Sequence, residues 1–145
     1  PRVIRVIGLG SPFGDDRVGW RVIRLLNGRL PGTVDLVALD RPGSTLIHWM
    51  QGVEHLVLID AVRSGARPGE LIRLDPAELD SGGARLTSHD LALAETLHLA
   101  ATLGSLPPLV DIYGVEINGC TDQHLSDVAE VAATRLASIL AGLGR

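Results

Sequence analysis

Gly8-Leu9-Gly10-Ser11-Pro12-Phe13-Gly14-Asp15-Asp16-Arg17-Val18-Gly19 joins two patterned apolar runs near the start of the chain. Before it lies a short apolar run, Val3, Ile4, Val6 and Ile7, with the look of a buried first strand. After it, Val18, Val22, Leu25 and Leu26 recur at i, i+4, i+7 and i+8, the spacing of one helix face. The stretch is therefore a strand-to-helix turn. Glycine there permits positive φ or a close backbone approach, and Pro12 stiffens the turn. Two adjacent acids at such a turn call for an explanation.

A dinucleotide-binding turn is the first candidate. That fingerprint reads G-x-G-x-x-G and rests a pyrophosphate on the N–H groups opening the next helix. Here the third glycine is one residue late, and Asp15 and Asp16 stand where the anion would sit. Two like charges about 4 Å apart repel by about 4 kcal/mol at an effective dielectric of 20. A turn built for phosphate should not carry them. Two readings remain at this point. The acids cap the free N–H groups of the helix start, or one of them binds a cation.

Composition narrows the class. The 145 residues suit one domain, expected to run from residue 1 to residue 145. Aromatics are only 3% against 46% hydrophobic residues, so the core must be built from Val, Ile, Leu and Ala. A formal charge of −4 lacks the basic balance of a nucleic-acid binder. No run approaches the ~18 apolar residues of a membrane span. Arg2 and Arg5 break up the apolar opening, so a signal peptide is not expected, nor is a partner membrane. With Cys120 alone, neither an intrachain disulfide framework nor a CxxC metal knuckle is available. A cytoplasmic protein is expected, and nothing in the sequence demands more than a monomer.

Further along, Val34 to Leu39 reads as a second strand and is followed by Asp40-Arg41-Pro42-Gly43-Ser44. A short helix over about 45–50 leads to His55-Leu56-Val57-Leu58-Ile59-Asp60. Such a nearly continuous apolar run is expected of a strand covered on both faces, here with an acid at its carboxyl end. Residues 70–74 read as a short strand, and 75–85 are rich in turn residues. A helix over about 88–103 opens on Thr87-Ser88-His89-Asp90, a capping-box pattern that puts His89 in the first turn. Residues 109–115 form a last strand. The final helix carries an apolar stripe of Leu125, Val128, Ala132, Leu136, Ile139, Leu140 and Leu143. Strands alternating with helices predict an α/β three-layer sandwich, with a five-stranded, mostly parallel or mixed twisted sheet and helices on both faces.

Open α/β sheets take their ligands at the carboxyl ends of their strands. Asp16, Asp40 and Asp60 all fall just past such ends, and His89 at a helix start can reach the same edge. Two or three carboxylates and an imidazole suit a divalent metal with positions left open for substrate. The plainer reading of each is a helix cap for Asp16, a turn former for Asp40 and Asp60, and a solvated polar group for His89. His48, His55, His98 and His124 read as surface or cap residues, and Cys120 as a small loop residue. Ser11 lacks the G-x-S-x-G elbow of a serine nucleophile.

With these residues in view, the chain resembles the hydrogenase maturation proteases, endopeptidases that trim the large subunit of nickel–iron hydrogenases. Their first turn, G-x-G-N-x-x-x-x-D-[DE]-x-x-G, is matched by Gly8 to Gly19. Their apolar-Asp-Ala strand end is matched by Leu58-Ile59-Asp60-Ala61, and their S-H-x-L helix start by Ser88-His89-Asp90-Leu91. A late G-[IV]-E/P step is matched by Gly114-Val115-Glu116. Two departures stand out. Ser11 replaces the usual Asn, and Asp40-Arg41-Pro42-Gly43 replaces an Asp-Gly-Gly turn, altering a loop near the expected site.

The resemblance implies that Asp16, Asp60 and His89 are both catalytic and metal-contacting, with Asp15, Asp40 and Ser11 as supporting positions. It implies that the metal is nickel already inserted in the substrate rather than a cofactor of the free enzyme. The partner it implies is the hydrogenase large-subunit precursor, cut once near its C-terminus to release a short peptide. Two other classes are weighed beside it: a non-catalytic module that senses the nickel as a maturation checkpoint, and a nucleotide-binding α/β domain with Asp40 as the ribose acid.

Overall fold

The computed structural model describes residues 3–10, 17–40, 43–75, 88–118 and 120–143, without the side chains of residues 88–91 and 122. Its strands are β1 (Ile4–Leu9), β2 (Val34–Leu39), β3 (His55–Val62), β4 (Leu71–Leu74) and β5 (Leu109–Glu116). Its helices are α1 (Val18–Leu26), α2 (Ser44–Trp49), α3 (Ser88–Thr102) and α4 (Asp122–Leu143).

The strands form one sheet in the order β2-β1-β3-β5-β4. The first four positions pair in parallel, while β4 runs antiparallel against β5 at the edge. The expected mixed sheet is therefore present, with β4 as its one reversed strand among those described.

Period-2 alternation divides each central strand between two cores. On β3, Val57 and Ile59 join the apolar cluster under α1 and α4. Leu56 and Leu58 join the cluster under α2 and α3. With Leu56 to Ile59 all at zero exposure, β3 is covered on both faces. That explains its continuous apolar run. The outer strands β2 and β4 are less covered, with Val34 buried and the other positions half-buried or exposed.

Gly8 and Gly19 show why the opening turn needs glycine at those places. A Cβ on Gly8 would lie 2.5 Å from the Gly19 carbonyl oxygen and 2.5 Å from the Ile23 side chain. One on Gly19 would lie 2.2 Å from the Leu9 carbonyl oxygen. Neither glycine has positive φ. Close approach of α1 to β1, rather than left-handed backbone, is what they permit.

Two expectations are corrected. Asp60 does not lie past the end of its strand, because Ala61 and Val62 go on pairing with Val115 and Glu116. His55 is neither a surface nor a cap residue. At 5% exposure it is buried at the start of β3, with Nε2 2.7 Å from Asp111 Oδ2. Asp111 in turn accepts from Arg73 of the edge strand. The buried imidazole is thus hydrogen-bonded, as burial of a polar ring requires.

Candidate active site

The carboxyl edge of the sheet is assembled around the end of β3. Asp60 pairs with Gly114 and is 3% exposed. By strand alternation its side chain shares a face with Leu56 and Leu58, the face covered by α2 and α3. Its Oδ1 accepts the Ala61 N–H at 2.9 Å, which sets the rotation of the carboxylate.

The 11–16 segment leaves and rejoins the described chain beside this point. It departs after Gly10, whose N–H donates to the Leu39 carbonyl at 3.0 Å. It returns at Arg17, and two residues later a Cβ on Gly19 would lie 3.4 Å from the carbonyl oxygen of Ile59, the residue before Asp60. Ser11, Asp15 and Asp16 themselves lie outside the described residues.

His89 lies in the first turn of α3, and its side chain is not among those described. The far end of α3 is tied to the opposite edge of the sheet. Six residues separate Thr102 from Leu109, which pairs with His55 and donates to the Glu54 carbonyl. Fifteen residues at 1.5 Å each carry a helix about 22 Å, so its first turn runs back toward the carboxyl edge. Leu93, Ala94, Leu97 and Ala100 seat the helix on the Asp60 face.

Asp40 is exposed, one residue beyond β2. Leu39 pairs with Leu9, so β1 stands between Asp40 and β3, and two strand spacings amount to about 10 Å. Asp40 and Asp60 therefore share an edge of the sheet without sharing a contact. Among the described residues no three His, Cys, Asp or Glu side chains converge on a point that would hold a metal ion. Cys120 is half-buried in the loop before α4, its Sγ–H directed to the Thr121 carbonyl.

One participant at this edge carried no assigned role in the sequence reading. Glu116, the last residue of β5, has zero exposure. Its carboxylate accepts the Ser64 N–H at 2.9 and 3.1 Å, the Ser64 hydroxyl at 2.5 Å, the Ala66 N–H at 3.0 Å and the Asn118 N–H at 3.1 Å. Burial pushes its pKa up, but hydrogen bonds from Ser64, Ala66 and Asn118 outweigh that and hold it below the ordinary value. The signal was an acid flanked by Val115 and Ile117 at the end of an apolar strand.

A five-stranded mixed sheet with helices on both faces and a buried carboxylate near the end of its central strand defines an α/β sandwich with its candidate site at the carboxyl edge. The hydrogenase maturation protease family model matches residues 20–142, from within α1 to the end of α4, and this chain belongs to that family. It is 31% identical over 118 residues to the hydrogenase expression/formation protein HupM of Azotobacter chroococcum, covering 78% of this chain and 56% of that one. The chain thus spans little more than half the length of the curated relatives it matches. Among solved structures, the hydrogenase maturating endopeptidase HybD from E. coli aligns with a TM-score of 0.65 and 25% identity, covering 94% of this chain and 93% of that one. A NiFe hydrogenase maturation protease, HycI from Thermococcus kodakarensis, shares the fold with a TM-score of 0.74 at 21% identity, over 95% of this chain and 92% of that one. No helix among the described residues is long and apolar enough to cross a membrane.

Proposed function

We propose that this chain is a cytoplasmic, monomeric endopeptidase that removes a short C-terminal peptide from the nickel-loaded precursor of a nickel–iron hydrogenase large subunit. Asp16, Asp60 and His89 are the residues assigned to contact the precursor's nickel and so place the scissile bond. The observation that carries the reading is the Asp60 carboxylate, buried in the carboxyl end of the central strand on the face seated under α3. Family membership supports the same reaction class.

The chemistry follows from the residue types. Imidazole suits nickel, and carboxylates are acceptable ligands with harder character. A nickel ion held by the substrate and completed by these side chains acts as a recognition element, since a precursor without it presents nothing for them to bind. Peptide hydrolysis then needs a polarised carbonyl and an activated water, and a fixed carboxylate can serve as general base. The Ala61 N–H bond keeps Asp60 in one orientation, which positioning of either kind requires.

The test is cleavage of the large-subunit precursor, prepared with and without nickel and followed by intact mass. The expected result is nickel-dependent loss of a C-terminal peptide by the wild type, abolished in Asp16→Asn, Asp60→Asn and His89→Ala variants that remain folded. Cleavage that persists without nickel and in all three variants overturns the assigned site. Nickel-dependent binding with no cleavage by the wild type overturns the peptidase reading and leaves a checkpoint module.

A further inference from the structure

The Glu116 cluster lies beyond the residues assigned to nickel, and its carboxylate is buried and heavily hydrogen-bonded. Five hydrogen-bond contacts converge on it, four of them from the 63–67 segment that follows β3. That segment is the direct continuation of the strand carrying Asp60. Val62 pairs with Glu116 itself, and the Ile117 N–H donates to the Val62 carbonyl at 3.0 Å. Gly69 donates to the Glu116 carbonyl at 2.9 Å, and the Glu116 N–H donates back to Glu70 at 3.0 Å. One residue thus pins both ends of the excursion from β3 to β4, through its side chain and its main chain.

Between those anchors the segment is exposed at Arg63, Ser64, Gly65 and Arg67, and Gly65 takes φ +91°. Its inward N–H groups at Ser64 and Ala66 are consumed by the carboxylate, so the backbone is held while the outer surface stays open. A shorter side chain at 116 would take away the acceptor of the Ser64 and Ala66 N–H groups, and the segment would have to move to hydrate them.

We propose that Glu116 is a positioning residue for the cleavage reaction, clamping the 63–67 segment so that it forms a rigid wall for the precursor chain beside Asp60. This rests on the peptidase reading above. The clamp holds the exit of β3 in register, and with it the orientation of the Asp60 carboxylate. The side chain takes no part in bond making or breaking. A purely structural role would lower stability without any special effect on turnover. A positioning role lowers turnover beyond what the lost stability explains.

The experiment compares wild type, Glu116→Ala, Glu116→Gln and the core variant Leu136→Ala, which lies under the other face of the sheet. Steady-state cleavage of the nickel-loaded precursor at varied concentration gives kcat and KM, thermal melting gives stability, and amide hydrogen exchange reports on residues 61–70. Glu116→Ala is expected to lose about tenfold or more in kcat/KM, as displaced reacting groups do, and to expose the Ser64 and Ala66 amides to exchange. Glu116→Gln, which retains one carbonyl acceptor, should recover part of the loss. Leu136→Ala should keep its kcat/KM at assay temperatures below its melting point. Glu116→Ala at the wild-type kcat/KM, or a loss no greater than that of Leu136→Ala, overturns the proposal. A wild type that does not cut the precursor overturns the peptidase reading, and the positioning role with it.

Discussion

Replacing Gly19 by alanine sets two known quantities against each other. Gly19 is the second residue of α1, where alanine is favoured over glycine by at most about 1 kcal/mol. On propensity alone the variant should be more stable. The packing says otherwise, because the new Cβ would sit 2.2 Å from the Leu9 carbonyl oxygen and 3.2 Å from its carbon. Both are main-chain atoms of a buried central strand, so no side chain can rotate away. The helix must lift instead, at an overpacking cost of about 3 kcal/mol, the upper part of the usual range. The net expectation is a loss of about 2 kcal/mol. For a chain of this size that lowers Tm by about 6–8 °C. Gly142→Ala is the matched control. It lies in the last turn of α4 with nothing within 4 Å of the new Cβ, so it should leave Tm unchanged or raise it slightly. Thermal melting and urea midpoints of the two variants decide the matter. Because α1 begins two residues after Asp16, precursor cleavage should fall in Gly19→Ala and not in Gly142→Ala. A Gly19→Ala protein that melts at or above the wild type would refute the close-packing account of the opening turn.

Two titrations probe buried charge elsewhere. The folded pKa of Glu116 lies below its ordinary 4.5, so the stability it contributes is present above that value and is lost as the pH falls through the folded pKa. Urea midpoints should therefore drop more steeply below pH 4.5 in the wild type than in Glu116→Gln, and equal slopes would contradict the assignment. Tyr113 is the sole tyrosine, and burial, then the Asp111 charge, push its pKa above 10.0, with Arg73 opposing them. Absorbance titration of the phenolate should give a midpoint above 10.0 that falls in Asp111→Asn and rises in Arg73→Ala; a wild-type midpoint at or below 10.0 would count against it.

Much of this architecture is legible in local pattern. The apolar run over 55–60 announced a doubly covered strand, and β3 has both faces buried. The 3.6-residue spacing of Val18, Val22 and Leu26 gave the inner face of α1, and all three have zero exposure. The last helix was readable in the same way, except that Ile139 is 41% exposed while Ala129 and Ala133 are buried in its place. A stripe read from large side chains alone overlooks alanines, which fit where the helix approaches its neighbours most closely. On α3 likewise, Ala94 and Ala100 are buried while Leu99 is 49% exposed.

The succession of strands and helices, and the glycines that let α1 approach β1, were written in the sequence alone. Those features depend on neighbours in the chain, whose spacing and torsional preferences are written locally. The strand order, the reversed β4 and the burial of Asp60 within β3 came from the assembled sheet. Only it paired His55 with Asp111, 56 residues away, and closed Glu116 onto Ser64, 52 residues away. A polar side chain looks alike in sequence whether it meets water or a buried partner. The difference in free energy arises from desolvation and from donors delivered by other strands, and neither exists until the sheet has formed.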